Sequence, residues 1–285
     1  MNYSFLKKLV LGTANFVNNY GATNSSTRPN RKEIFKMLEY AIKKKINKFD
    51  TAPSYKSEEI LGDFIKVNKL RNIEITTKIP SMKLIKNKVD FIKKNLIISQ
   101  KKLNTNINNV LFHDQRDILF FLNNQKMISE IKKDFMIKKF GVSIYDIKYV
   151  KLVNKIKQSI IIQFPGSIAN TKFFNKKFKK KDNLFVRSIF LQGLLTKNKI
   201  KKKLPNKLLY AHKKYINYLD NNKIKSLELC LGFINRQKMV NHIIIGVDNI
   251  KQLKSIVGTN FLTSVDKVKY VKKLFNMNTA DPRKW

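Results

Sequence analysis

An acid and a phenol stand close together in the segment FDTAPSYKSEEILG, residues 49–62. Asp50 closes a short apolar run typical of a buried strand, and Tyr55 follows within a turn rich in Thr, Ala, Pro and Ser. Ser57 then precedes two carboxylates and an apolar pattern with helical spacing, which indicates the start of a helix. The sequence therefore predicts that Asp50 and Tyr55 project together from the end of one strand.

Two more polar side chains close later strands. Lys78 ends the run NIEITTK, and His113 ends the run NNVLFH. The carboxyl ends of neighbouring parallel strands meet at one edge, about 4.8 Å apart, so these side chains can converge with Asp50 and Tyr55. Taken singly, each residue has a structural interpretation as a packed aromatic, a surface charge or a hydrogen-bonded histidine. Their succession at strand ends favours a catalytic site.

These residue types suit the protonation of a carbonyl oxygen. A free tyrosine has a pKa of about 10 and is a weak acid near neutrality, but a neighbouring ammonium favours the phenolate and makes the phenol a better proton donor. Lys78 can supply that charge, and Asp50 can pair with Lys78 and orient it. His113 can hydrogen-bond a carbonyl oxygen and stabilise the negative charge that develops there.

Eight β-rich runs, alternating with helical patterns, must position these residues. Apolar residues at helical spacing are clearest in the segment 33–45. Short apolar strands, each followed by a longer segment, predict parallel strands joined by crossover helices. We therefore expect a single (β/α)8 barrel over residues 1–285 with an extra C-terminal helix from about residue 265. We expect Pro282 and Trp285 to pack back onto the body of the protein. The predicted strands are 8–13, 47–50, 73–78, 109–113, 137–142, 159–164, 184–189 and 242–247.

The net charge of +40 is extreme, with 59 basic and 19 acidic residues. Such a charge suits nucleic acid, an acidic membrane surface or an anionic ligand. Most of the basic residues are Lys, whereas nucleic-acid readers favour Arg and aromatic platforms, so we expect a compositional bias and no specific nucleic-acid partner. The two Lys-rich runs, 171–181 and 197–203, are accordingly predicted to be solvated, with the aromatic side chains of the first turned inward.

The remaining composition favours a cytoplasmic protein. Cys230 is the only cysteine, so no internal disulfide can form. No apolar stretch reaches the roughly 18 residues of a membrane span, and the N-terminus is too short for a signal peptide. Three scattered histidines offer no metal-ligand spacing, so we expect no metal. We expect His212 to be exposed on a polar helix and His242 to be structural at the start of its strand.

The motifs together resemble the aldo-keto reductase family over nearly the whole chain. LVLGTANF resembles its first strand, FDTAPSYKSEEILG its signature, and ITTK, LFHD and GVS occupy later positions of its pattern. The chain is most similar to bacterial members that carry RSIFLQGLL, a GVDN turn and a Pro-Arg-Lys-Trp-like end, some of them encoded among polysaccharide and nucleotide-sugar genes. The resemblance implies NAD(P)H-dependent reduction of an aldehyde or ketone, with a sugar derivative as one candidate substrate.

The same resemblance assigns roles to individual residues. Asp50, Tyr55, Lys78 and His113 would form the catalytic tetrad, with Tyr55 as general acid. The cofactor would lie across the barrel mouth, and no GxGxxG follows a strand. Its carboxamide, nicotinamide ring and adenosine phosphates would be held by Gly12, Thr13, Ser143, Gln163, Arg187, Gly246, Val247, Asp248, Asn249 and Gln252.

Several positions depart from the family pattern. Lys56 stands where the signature has Gly, which predicts a less tight loop beside Tyr55, and Ile144 replaces the usual Asn, which removes a carboxamide partner. Asp248 would repel a 2′-phosphate, and Gln252 stands where Arg is common, although Lys251 is adjacent. The family favours NADP, with NAD as the alternative.

Two other functions are compatible with the residues. A non-catalytic regulatory protein could bind the dinucleotide on the same barrel, and the basic surface could bind nucleic acid. A small-molecule carbonyl substrate is the expected partner. The loops expected to select it are 18–28, the loop at Gln115 and 172–203, and the oligomeric state is left open.

Overall fold

The computed structural model describes residues 3–17, 28–196, 200, 203–262, 265–275, 280, 281 and 283. The predicted substrate loop 18–28 lies outside these residues except for Arg28, as do Pro282, Trp285 and most of the Lys-rich run 197–203. Eight parallel strands close into a barrel in chain order, which confirms the predicted (β/α)8 fold. The strands are β1 Leu9–Gly12, β2 Lys48–Asp50, β3 Glu74–Ile79, β4 Asn109–Phe112, β5 Lys139–Ser143, β6 Ile161–Pro165, β7 Asn183–Arg187 and β8 His242–Gly246.

Helices surround this barrel, and apolar stripes turned toward the strands hold them there. In the segment around residue 37, Ile34, Met37, Leu38 and Ala41 are all buried, as their spacing predicts. None of the helices in the described residues is long and apolar enough to cross a membrane. The helices are α1 Tyr3–Lys8, α2 Ala14–Val17, α3 Arg31–Lys43, α4 Glu58–Val67, α5 Lys88–Leu103, α6 Ile118–Asn123, α7 Gln125–Asp134, α8 Val150–Lys155, α9 Asn206–Asn221, α10 Ser226–Asn235, α11 Ile250–Val257 and α12 Val265–Leu274.

The connection between β6 and β7 departs from a simple strand–helix alternation. Residues 166–182 form turns rather than a helix. Phe173, Phe174 and Phe178 of this connection pack around the ring of Phe164, with centroids 5.0, 6.0 and 5.8 Å away. The aromatic side chains of the first Lys-rich run therefore face inward as predicted, and they hold the segment against β6 without a helix.

His212 is buried, so the prediction that it is exposed is wrong. Its neighbours in sequence are polar, but it lies on the face of α9 that also buries Leu208, Ala211, Tyr215 and Leu219. The spacing along the helix, rather than the polarity of the adjacent residues, decides its environment. His242 begins β8 as predicted, and its ring packs edge-on against Phe185 with the centroids 4.6 Å apart.

The strand register brings the predicted site residues to one level of the barrel. Gly12 pairs with Asp50 on one side and with Gly246 on the other, at the carboxyl ends of β1, β2 and β8. Ser143 likewise pairs with Gln163 near the ends of β5 and β6. These positions share the end of the barrel at which active sites form in this architecture.

Gly62, the last residue of the signature segment, is required by helix packing. A Cβ atom at this position would lie 1.9 Å from the carbonyl oxygen of Lys102, so only a glycine lets α4 approach α5 this closely. The same helix begins at Glu58, just after Tyr55. This contact therefore fixes the direction in which residues 51–57, here called the catalytic loop, leave β2.

Candidate active site

A buried ion pair lies at the base of the site. Lys78, inside β3, places its Nζ 2.7 Å from Oδ1 of Asp50, and the two side chains are only 1% and 5% exposed. The same ammonium donates to the carbonyl oxygen of Thr51 at 2.8 Å. Gln163 donates from Nε2 to the other carboxylate oxygen of Asp50, also at 2.8 Å. Three strands therefore contribute to one network, in which both charged groups are buried and hydrogen-bonded to protein atoms.

Burial and neighbouring charges act in opposite directions on Lys78. Removal from water lowers the pKa of its ammonium, while the Asp50 carboxylate raises that pKa through its charge and its hydrogen bond. The guanidinium of Arg187 lowers the pKa of Lys78 further. The net direction is downward, so the charged form of Lys78 depends on Asp50.

Tyr55 reaches this pair from a tight turn. Residues Pro53–Tyr55 form one turn of 3₁₀ helix, and Lys56 ends it in the left-handed conformation at φ 57° and ψ 17°. The backbone N–H of Lys56 donates to the carbonyl oxygen of Pro53 at 3.1 Å, so the turn closes although the family's glycine is missing. The ring of Tyr55 has its centroid 4.8 Å from Lys78 Nζ.

His113 completes the cluster directly after β4. Its ring lies edge-on to Tyr55, with the centroids 6.0 Å apart and the planes at 88°. Burial lowers the pKa of His113 to about 3, and the charges of Lys78 and Arg187 push it in the same direction. The imidazole is therefore neutral near pH 7, and one of its nitrogens carries a proton that it can donate.

A cavity of about 630 Å³ runs from the tetrad to the start of α11, within the size range of cofactor sites. Its walls include Asp50, Tyr55 and six of the residues predicted to bind the cofactor, namely Gly12, Arg187, Gly246, Asp248, Asn249 and Gln252. Lys251, which is adjacent to Gln252, also lines it. Other lining residues were not predicted to bind the cofactor, and those from 188 to 196 belong to the loop 172–203 expected to select the substrate; they include Asn15, Ser188, Ile189, Phe190, Gln192, Thr196, Lys225, Ser226 and Ser255.

Four residues predicted to bind the cofactor do not line this cavity. Thr13, Ser143, Gln163 and Val247 are buried, with at most 1% of their surface exposed. Thr13 instead hydrogen-bonds through Oγ1 to Ser57 Oγ at 2.7 Å, which ties β1 to the catalytic loop. Gln163 lies one hydrogen bond from Asp50, and its buried Oε1 has no hydrogen-bond partner among the described residues. That acceptor matches the N–H donors of a carboxamide.

The far end of the cavity is organised around Asp248. Asn15 donates from Nδ2 to Oδ1 of Asp248 at 2.6 Å, and Gln252 donates from Nε2 to Oδ2 at 3.2 Å. The N–H of Asp248 donates in return to Gln252 Oε1 at 2.9 Å. Both carboxylate oxygens thus have amide partners, which moderates the repulsion that Asp248 would exert on a phosphate.

His113 faces a second cavity of about 490 Å³ on the other side of Tyr55. Its lining includes Tyr145 from the loop after β5 and Arg283 from the C-terminal segment. Arg283 donates to Asp146 at 2.8 Å, and its guanidinium lies 4.6 Å from the Tyr145 ring centroid. The remaining lining residues are Ser81, Asp114, Gln115, Arg116, Lys148 and Tyr149.

A model of the aldo/keto reductase family matches residues 8–276. The chain belongs to the aldo/keto reductase family. It is therefore an NAD(P)-dependent oxidoreductase of the carbonyl-reducing class, and it uses a nicotinamide cofactor. A comparison with curated protein sequences gives no match.

Solved structures share the fold of this aldo/keto reductase at low sequence identity. The aldo-keto reductase AKR11C1 from Bacillus halodurans (holo form) has a TM-score of 0.73 and 18% identity, over 95% of this chain and 92% of that one. The glycerol dehydrogenase AKR11B4 from Gluconobacter oxydans has a TM-score of 0.68 and 18% identity, over 94% and 90%. The aldo-keto reductase AKR2E5 complexed with NADPH has a TM-score of 0.67 and 18% identity, over 95% and 84%.

Replacing Lys56 with glycine is expected to stabilise this aldo/keto reductase. An L-residue in the left-handed region costs about 1–2 kcal/mol, part of which glycine recovers, so Lys56→Gly should raise the unfolding free energy by about 1 kcal/mol in denaturant titrations. Lys36→Gly, in the middle of α3, is the matched control and should lower it by about 1 kcal/mol. A loss of stability in both variants would contradict the left-handed turn beside Tyr55.

The buried neutral imidazole of His113 predicts a pH-dependent loss of stability. In the unfolded chain this histidine binds a proton below its ordinary pKa of 6.5, whereas the folded protein keeps it neutral down to about pH 3. Acidification through that window therefore favours unfolding, with a slope approaching 1.4 kcal/mol per pH unit for this group. Above pH 6.5 the histidine is neutral in both the folded and the unfolded chain, so it makes no contribution to the pH dependence of the unfolding free energy.

His113→Asn should remove that contribution. The difference in unfolding free energy between wild type and variant should shift in favour of the variant as the pH falls from 6.5 to 4, as measured by urea titration at each pH. A difference that stays constant across this range would show that the folded protein accepts the proton at His113.

Proposed function

We propose that the protein reduces an aldehyde or ketone to an alcohol with NADPH as its preferred cofactor, and that Tyr55 donates the proton. One observation carries this proposal. The centroid of the Tyr55 phenol ring lies 4.8 Å from Lys78 Nζ and 6.0 Å from the centroid of the His113 ring. Tyr55 lines the cavity that leads to α11, and His113 lines the other.

The tetrad residues have complementary roles in this reaction. When bound, the reduced nicotinamide supplies a hydride to the carbonyl carbon. Tyr55 gives its phenolic proton to the carbonyl oxygen as negative charge develops there, so the carbonyl becomes an alcohol and the phenolate later regains a proton from water. The neutral His113 donates a hydrogen bond to the same oxygen and orients it.

Lys78 and Asp50 act on Tyr55 rather than on the substrate. The Lys78 ammonium stabilises the phenolate that remains after proton transfer, because it lies close to the ring in a site shielded from water. Asp50 and the carbonyl oxygen of Thr51 fix the position of that ammonium through hydrogen bonds. Lys78 therefore adjusts the acidity of Tyr55, and its own charged state depends on the buried carboxylate of Asp50.

Groups that line the first cavity, together with buried groups behind its walls, suit the parts of a dinucleotide. The unpartnered Oε1 of Gln163, with Ser143 beside it in the sheet, would accept the N–H groups of the carboxamide. Gly12 lies between Asp50 and Gly246 in the strand register, and the two glycines leave room for the flat ring. Thr13 and Val247 would support these walls from behind, because both are buried away from the cavity.

The charges at the far end favour NADPH over NADH. Lys225 and Lys251 line the cavity there and can attract a 2′-phosphate. Asp248 is the one lining carboxylate near them, and both of its oxygens already accept hydrogen bonds from amides. Asn249 caps α11, and the start of that helix adds favourable partial charge.

The second cavity supports a polar carbonyl substrate such as a sugar derivative. Ser81, Gln115 and Tyr149 lie on its wall together with His113. Hydroxyl and amide groups on the same wall as His113 suit a ligand with several hydroxyl groups. The ligand would enter from this side, and the cofactor would occupy the other.

Tyr55→Phe tests the assignment of the proton donor. The variant should lose carbonyl reduction by at least about 100-fold, followed as the loss of reduced nicotinamide absorbance, because the phenolic proton is gone while the ring still packs. Fluorescence titration should show that it still binds NADPH, and that wild type binds NADPH more tightly than NADH. Tyr210→Phe, on the exposed face of α9, is the matched control and should retain full activity.

Two outcomes would count against this function. Tyr55→Phe with wild-type turnover would remove Tyr55 from the chemistry. A wild-type protein that binds NADPH but reduces no carbonyl compound would favour the non-catalytic regulatory alternative on the same barrel.

A further inference from the structure

Arg187 carries a charge that the described residues do not neutralise. Its guanidinium lies at the end of β7, lines the first cavity and stacks 4.1 Å from the ring centroid of Tyr145. No hydrogen bond or ion pair to the guanidinium occurs among the described residues, and its Nη2 is buried without a partner. Since its charge lowers the pKa of both Lys78 and His113, it acts directly on the reacting centre.

The other charged groups around the two cavities are compensated or solvated. Lys78 pairs with Asp50, Arg116 with Asp114, and Arg283 with both Asp146 and Asp281. Lys148 and Lys251 are exposed, so water solvates their ammonium groups.

Arg187, by contrast, is half-buried and has only a ring beneath it. A half-buried cation without a partner is unfavourable, and the cost is recovered when an anion binds. The position is therefore one that a negatively charged ligand group would stabilise.

The location favours the substrate, rather than the cofactor phosphates, as the source of this anion. Arg187 shares the tetrad end of the first cavity with Tyr55, whereas Lys225 and Lys251 provide charge toward the other end. Tyr145, on which the guanidinium stacks, lines the second cavity beside His113. Arg187 thus lines the same cavity as Tyr55 and stacks on a residue that lines the same cavity as His113, the two side chains that would hold the carbonyl.

The charge change in the reaction gives a second reason. Arg187 would oppose hydride donation by a nicotinamide bound in the first cavity, because that donation would leave a positive charge near the uncompensated guanidinium. An anionic group on the substrate would neutralise Arg187 before the hydride moves. The anionic group of the substrate would then strengthen substrate binding and also increase the rate of hydride transfer.

We infer that the substrate carries an oxyanion, a carboxylate or a phosphate, near its reacting carbonyl, and that Arg187 binds this group. The inference rests on the proposed carbonyl reduction and narrows its substrate class. A planar guanidinium over the ring of Tyr145 can donate two parallel hydrogen bonds to an oxyanion, which a lysine could not reproduce. Tyr145 is accordingly a positioning residue for Arg187.

Matched pairs of probes test the inference. 4-Carboxybenzaldehyde and its methyl ester differ by one negative charge, and 4-formylphenyl phosphate with 4-methoxybenzaldehyde forms the phosphate pair. In wild type, kcat/KM should be higher for the charged member of at least one pair, and the pair with the larger ratio identifies the oxyanion. Arg187→Met should lower that ratio by about 10- to 100-fold, and Arg187→Lys should lower it by less.

Arg71→Met is the control for the loss of one positive charge. Arg71 is exposed and precedes β3 at the opposite end of the barrel from the tetrad, so its replacement should leave the ratio unchanged. If Arg187→Met lowers kcat/KM equally for both members of each pair and weakens NADPH binding, Arg187 serves the cofactor and the inference is overturned. An equal loss of the ratio in Arg71→Met would overturn it too, since the effect would then be one of overall charge.

A binding measurement separates this inference from the proposed function. Calorimetric titration of the NADPH-saturated protein with 4-(hydroxymethyl)benzoate and with its methyl ester requires no turnover. Tighter binding of the acid that disappears in Arg187→Met supports the anion site, even if no probe is reduced and carbonyl reduction itself fails. Equal binding of acid and ester in wild type, together with equal turnover of both aldehydes, overturns the anion site and leaves the reductase function standing.

Discussion

The site depends on one buried ion pair, between Lys78 and Asp50. Taking two charges out of water is costly, and such a pair persists only where further hydrogen bonds satisfy it. Here the ammonium of Lys78 also donates a hydrogen bond to the carbonyl oxygen of Thr51, and the carboxylate of Asp50 also accepts one from the amide of Gln163. These partners come from strands that the barrel brings together only when it is closed, so the fold and the charge network require each other. Tyr55 packs over the pair, which makes the phenol sensitive to a charge that the substrate itself does not contact.

A surplus of positive charge around that pair explains several features at once. Burial, together with the charges of Lys78 and Arg187, lowers the pKa of His113 and keeps the imidazole neutral, which suits the hydrogen-bond donor role proposed for it. The same charges favour a phenolate at Tyr55 and an anionic group on the substrate. The extreme net charge of the chain is a separate matter, because it resides mainly in lysines distributed over the whole sequence. The proposed chemistry would use a few cations placed by the strand register, and the net charge of the chain would add a long-range attraction for anions.

The barrel and the tetrad could be predicted because both leave short-range signals. Each strand is a brief apolar run. Asp50 ends β2, Lys78 is the residue before the end of β3, His113 directly follows β4, and Tyr55 lies in the turn after β2. Other features have no such signal. Thr13 turns away from the cavity because it bonds to the catalytic loop, and His212 is buried through its helical face rather than through its polar neighbours. Asn15 meets Asp248, and Tyr145 meets Arg283, across long stretches of sequence, so only the closed barrel and the docked C-terminal segment reveal these contacts.

The most direct test of this account is a double-mutant cycle on the buried pair, with Asp50→Asn, Lys78→Met and the combined variant. Each single replacement leaves a buried group without its partner, which should lower kcat/KM by at least about 100-fold and the unfolding free energy by about 3–5 kcal/mol. If the pair acts as one unit, the combined variant should lose no more activity than the worse single variant and should be more stable than either. Losses that multiply in rate and add in stability would show that the two charges act independently, and would contradict the central role given to their interaction.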